Sequence, residues 1–138
     1  MKSVFATLLL TLAIVGTAAA SQKIPAIPRT LSNARFVYVA AYDGDQFDPN
    51  LLPDDRTAIA RVQDTVEKWG KLTLVYRPED ADIILLVQSR PSEGVLALYD
   101  AHGIRSTYLW RVMGRGGLQK GEAPLVAQFE QAWDAIAH

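Results

Sequence analysis

The chain has 138 residues, 49% hydrophobic and 21% charged, with 14 Lys and Arg against 15 Asp and Glu and no cysteine. That length suits a single hydrophobic core, and without cysteine there are neither disulfide staples nor a lipid attached through a cysteine. The scattered, nearly balanced charge carries no basic footprint for nucleic acid and no polybasic patch for a membrane surface.

Lys2 precedes an apolar run from Val4 to Val15 and a small-residue stretch from Gly16 to Ala20, the layout of a secretory signal. Ala18 and Ala20 stand where a signal peptidase requires short side chains, so residues 1–20 are expected to be removed. No stable membrane anchor is expected to remain, because the apolar run is shorter than the roughly 20 residues that span a bilayer and no basic stop-transfer cluster follows. The mature chain is therefore expected to be exported, periplasmic or extracellular. Without Lys2, 13 basic residues face 15 acidic ones.

Residues 21–34 hold Pro25 and Pro28 among isolated apolar residues without a sustained period, which predicts an extended leader and not a packed element. A single domain is expected over residues 35–138. Arg35 to Tyr42 is aromatic, β-branched and almost wholly apolar, as a strand covered on both faces would be. Asp43 to Asn50 concentrates Asp, Gly, Pro and Asn and predicts a loop.

Pro53 and Asp54 open a helix with the expected first-turn chemistry. Ile59, Val62, Val66 and Trp69 recur at helical spacing, and Gly70 supplies a stop. Leu72, Leu74 and Tyr76 alternate with Lys71, Thr73 and Val75, predicting a strand with one wetter face. Arg77 to Asp82 breaks it, and Asp82 is expected to cap a short turn across Arg77 to Ala81. The uninterrupted apolar run Ile83 to Val87 predicts a central strand.

After the turn signal Arg90 to Gly94, the runs Val95 to Asp100 and Thr107 to Met113 predict a hairpin. Pro124 opens a last helix whose Leu125, Val126, Phe129, Ala132, Trp133 and Ile136 make a wide apolar stripe. The expected fold is α+β: one domain, strand-helix-strand-strand-strand-strand-helix. It has a mixed, mainly antiparallel sheet of about five strands and both helices packed on one face. The first strand is expected to pair in parallel with Ile83 to Val87.

Four constellations could carry chemistry. Asp43, Asp45 and Asp48 share one loop, and convergent carboxylates can ligate a hard cation, although the spacing is not that of an EF-hand and turn formation explains the same residues. Arg111 to Lys120 sets glycines beside Arg115 and Lys120, a possible anion cradle, but Gly121 stands where a P-loop needs Ser or Thr; a glycine-rich connection is the simpler reading. His102, with Ser106 and Thr107 near it in sequence, could serve a hydrolase, yet no G-x-S-x-G elbow exists. Carboxylate pairs for acid–base work would come from Asp43, Asp45, Asp80, Asp82, Glu93 or Asp100.

Ala81-Asp82 before a buried strand, Leu96 to Asp100 closing the next, Leu109-Trp110-Arg111 and a final amphipathic helix together resemble pieces of a group of small exported bacterial envelope proteins of unknown function, many of them lipoproteins. The resemblance spans about four fifths of the chain from Phe36 onward, and it departs from the lipoprotein members in lacking the lipidated cysteine. It implies compartment and fold, and assigns no catalytic residues.

With no assembled catalytic set and no implied cofactor, the leading expectation is a non-enzymatic exported interaction module of the cell envelope with a protein partner there. The alternative is a small-ligand or divalent-cation binder using Asp43, Asp45 and Asp48, and the third reading is a small hydrolase. The loop Asp43 to Asn50 is the expected site, because ligands bind beyond strand ends in open α/β sheets.

Overall fold

The computed structural model describes residues 24–103, 107–115, 118 and 124–137. Strands β1 (Phe36–Ala41), β2 (Thr73–Val75), β3 (Ile83–Ser89), β4 (Gly94–Asp100) and β5 (Trp110–Gly114) form one sheet in the order β2-β1-β3-β4-β5. β1 pairs in parallel with β2 and β3, while β3–β4 and β4–β5 are antiparallel. The apolar run Ile83 to Val87 thus lies at the centre of the sheet, in parallel with β1, as its composition predicts.

Helix α1 (Pro53–Trp69) begins with proline and carries Asp54 and Asp55 in its first turn. It ends where Gly70, at φ 79°, turns left-handed and donates its N–H to the Val66 carbonyl. Helix α2 (Pro124–Asp134) buries Leu125, Val126, Phe129, Ala132 and Trp133. Both helices pack on one face of the sheet, against Val37, Val39, Ile83, Leu85, Val87, Leu96, Leu98, Trp110 and Val112. Phe129 is the hub, with ring centroids of Trp69, Trp110 and Trp133 at 6.0, 5.7 and 5.8 Å.

The residues of opposite parity point to a second face, which has its own apolar cluster of Tyr38, Ala40, Ile84, Ala97 and Tyr99, with Val75 and Leu86 against it. Neither α1 nor α2 packs there; only the 3-10 turn Pro78–Asp80 borders it. The register aligns Val75, Tyr38, Ile84 and Tyr99 in one row across four strands, and Ala40, Leu86, Ala97 and Arg111 in the next. β1 therefore owes its continuous apolar character to helices on one side and to this cluster on the other.

Two sequence expectations are corrected. The segment from Ile24 is not an unpacked leader: it forms a 3-10 turn at Arg29–Leu31, buries Ile27 and Leu31 in the helix-side core, and its Pro25 carbonyl accepts the Trp110 indole N–H at 2.8 Å. Proline spacing conceals this, because two prolines interrupt any period without preventing burial of the residues between them. Asp82 does not cap the turn before it. Its Oδ2 accepts the backbone N–H of Arg35 at 2.9 Å and of Phe36 at 3.0 Å, tying the entrance of β1 to that of β3.

Candidate functional site

A recess of about 410 Å³ opens on the second face, within the range of small-ligand sites. Its floor is Ala40, Ile84 and Leu86, and Tyr38, Tyr42 and Tyr99 supply aromatic walls. The hollow follows from strand alternation: Tyr38 and Tyr42 flank Ala40 on one face, so two large side chains stand either side of a methyl group. Asp43, Gly44 and Asp45 form one end of the recess.

Burial first, and the neighbouring Tyr99 phenol second, push the Tyr42 hydroxyl well above its usual range, with Arg111 opposing. Tyr42 is thus held as a neutral phenol, suited to donating a hydrogen bond and not to serving as a base. The Tyr38 hydroxyl donates to Asp45 Oδ2 at 3.3 Å, while Asp45 Oδ1 accepts the Phe47 N–H at 2.9 Å. Asp45 enters no ion pair among the described residues.

Asp43 faces a cation already engaged elsewhere. Arg90 Nη1 donates to both oxygens of the buried Asp55, at 3.0 and 3.1 Å, and its Nη2 reaches Asp43 Oδ2 at 3.4 Å. The Ser89 N–H also donates to Asp55, at 2.8 Å, so one carboxylate in the first turn of α1 locks the helix to the end of β3. The sequence reading of this helix start rests on Pro53 and Asp54 and does not single out Asp55; its partners lie 34 and 35 positions away, and no local pattern announces them.

The three carboxylates of the loop do not act together. Asp43 and Asp45 line the recess, whereas Asp48 Oδ1 accepts the Asn50 N–H at 2.9 Å in a side-chain turn. Gly44 adopts φ 154°, a conformation that L side chains rarely take, and a Cβ there would also lie 2.5 Å from Asp48 Oδ2, so glycine is favoured at that bend. Among the described residues, no group of three or more His, Asp or Glu side chains is arranged to hold a metal ion.

His102 lies elsewhere, beside a shallower cavity of about 280 Å³ shared with Thr30, Asn33, Asp82 and Asp100. Its Nε2 is 3.7 Å from Asp82 Oδ1. The Arg35 N–H above all, followed by Phe36 and His102, holds the Asp82 carboxyl below its ordinary value, against an opposing effect of burial. Asp82 is thus committed to backbone donors. Ser106 lies outside the described residues, as do Gly116, Gly117, Lys120 and Gly121 of the glycine-rich segment and the whole of residues 1–23. Arg111 is described, with its guanidinium 5.6 Å from the Tyr108 ring centroid.

No family model, curated protein or solved structure matches this chain. The site is therefore read from its own chemistry. The tyrosines of the recess were missed as site residues in the sequence; the available signal was Tyr-Val-Ala-Ala-Tyr, which on a strand puts a small residue between two aromatics on one face.

Proposed function

We propose that this protein is an exported, non-enzymatic binding module of the bacterial cell envelope, and that the tyrosine-walled recess on the second sheet face is its recognition site. The observation that carries the reading is the recess of about 410 Å³ between Tyr38, Tyr42 and Tyr99, on the face that α1 and α2 leave uncovered. Tyrosines bring large amphipathic contact area at modest entropic cost, which suits a surface that must bind without a deep pocket. The raised Tyr42 phenol, the backbone-bound Asp82 and the Arg90-bound Asp43 are engaged or neutral groups, none of them activated for transfer chemistry. The signal-like residues 1–20 and the resemblance to envelope proteins support placing it in that compartment.

A photo-crosslinking side chain at Tyr42 tests this against the same group at Lys68, an exposed residue of α1 on the opposite side of the sheet. In an envelope fraction the Tyr42 probe should yield a reproducible adduct that disappears when Leu86→Glu places a charge in the recess floor. Equal labelling from both positions, or an adduct indifferent to Leu86→Glu in a folded protein, would overturn the reading.

A further inference from the structure

Resting on that reading, we infer that the recess binds a guanidinium-type organic cation, such as an arginine side chain of a partner, stacked on its tyrosines and paired with Asp45. The argument is charge complementarity combined with aromatic lining. Arg90 satisfies Asp55 first, at 3.0 and 3.1 Å, and reaches Asp43 only at 3.4 Å, so two carboxylates divide one cation. Asp45 adds a further negative charge at the same end of the recess, oriented by the Tyr38 hydroxyl and paired with no cation among the described residues. The rim therefore offers a carboxylate with no ion-pair partner among the described residues beside three tyrosine side chains, with the Arg111 guanidinium acting on the far side, at Tyr42.

A planar guanidinium matches both halves of that surface, since it stacks on aromatic faces and bonds a carboxylate through its edge. An ammonium would satisfy the carboxylate while stacking less well on the rings. The same sheet face already contains this chemistry within the chain, where Arg111 lies 5.6 Å from the Tyr108 ring centroid. A bare metal ion would gain little from walls of phenol and alkyl groups, whereas a cation on an apolar stem would bury that stem against Ala40, Ile84 and Leu86.

The probes are Nα-acetyl-arginine amide and its neutral counterpart of the same shape, Nα-acetyl-citrulline amide, titrated into the mature protein with backbone amide shifts as the readout. The arginine probe should shift Tyr38, Ala40, Tyr42 and Asp45 amides and bind about fivefold or more tightly than citrulline, the combined scale of one cation–π contact and one partly exposed ion pair. Asp45→Asn retains the turn acceptor and should collapse that preference towards unity while citrulline binding persists. Equal binding of the two probes to the native recess would overturn the cation assignment and leave the recognition site standing; so would a preference untouched by Asp45→Asn. If neither probe perturbs the recess while arginine shifts amides elsewhere, or nowhere, the cation assignment falls. The Tyr42 crosslink then decides separately whether the recess recognises anything.

Discussion

The two faces of this sheet are built from the same strands and differ in what completes them. On one face, α1 and α2 close over Val39, Leu85, Leu98 and Trp110, which are at most 2% exposed. On the other, Tyr38, Ile84, Ala97 and Tyr99 shield one another in a layer one side chain deep, and Tyr42, Tyr108 and Met113 remain 41, 47 and 42% exposed. Two-layer packing concentrates stability on the first face, where a missing side chain leaves a cavity that nothing fills. The second face tolerates a hollow because its rim is already in water, so a binding surface can be cut into it at little cost to the fold.

The strongest test of that contrast is Phe129→Ala. The ring sits fully buried among Trp69, Trp110 and Trp133, so its loss should cost about 4 kcal/mol of unfolding free energy, read from tryptophan fluorescence in urea. A loss below about 1 kcal/mol would mean that the helix-covered face is not the stabilising one.

Next in size is the clamp between the two layers. Asp55→Ala leaves the Ser89 N–H without its acceptor and Arg90 without its main counter-charge, and should cost about 3 kcal/mol. Asp55→Asn keeps one acceptor and should cost visibly less. Because Arg90 also reaches Asp43, both variants should broaden or shift the amide signals of residues 43–45 at the rim of the recess, a coupling that Phe129→Ala should not produce.

Asp82 gives a smaller effect with a definite pH dependence. Folding lowers its pKa from 3.8 through the N–H groups of Arg35 and Phe36, so the ionised form is favoured in the folded state. Its contribution is complete above the unfolded value and disappears as pH falls through the lowered folded value. Asp82→Asn should therefore lower the urea midpoint at neutral pH by the equivalent of about 1 kcal/mol, with the difference from the native protein closing as acid protonates the folded carboxylate. A gap independent of pH would assign the loss to shape and not to charge.

What could be read from the sequence divides along the same line. Local periodicity exposed β3 as the central strand and gave the helix-side stripe of α2, because a buried face must repeat with the geometry of its element. It gave the order of elements and the parallel pairing of β1 with β3 as well. The site was harder to read. The loop Asp43 to Asn50 does border the recess, but the walls come from Tyr38, Tyr42 and Tyr99, and a hollow between strands depends on register, which no single segment encodes. Ile27 and Leu31, Asp55 with Arg90, and Asp82 with Arg35 escaped for a related reason: each makes its contact tens of residues away.

Tyr42→Ala is the change that separates the two faces most sharply while altering stability least. The side chain is 41% exposed and borders the recess, so its removal should cost no more than about 1 kcal/mol in urea unfolding. It also removes one of the three tyrosines on which the proposed guanidinium would stack, and should weaken the arginine probe several-fold in the same protein. Tyr42→Phe should keep most of that binding, since a phenyl ring stacks as well and the neutral phenol contributes only a hydrogen bond. Weak binding with intact stability in the alanine variant, restored in the phenylalanine variant, would show that the ring face serves recognition and leaves folding to the other side of the sheet.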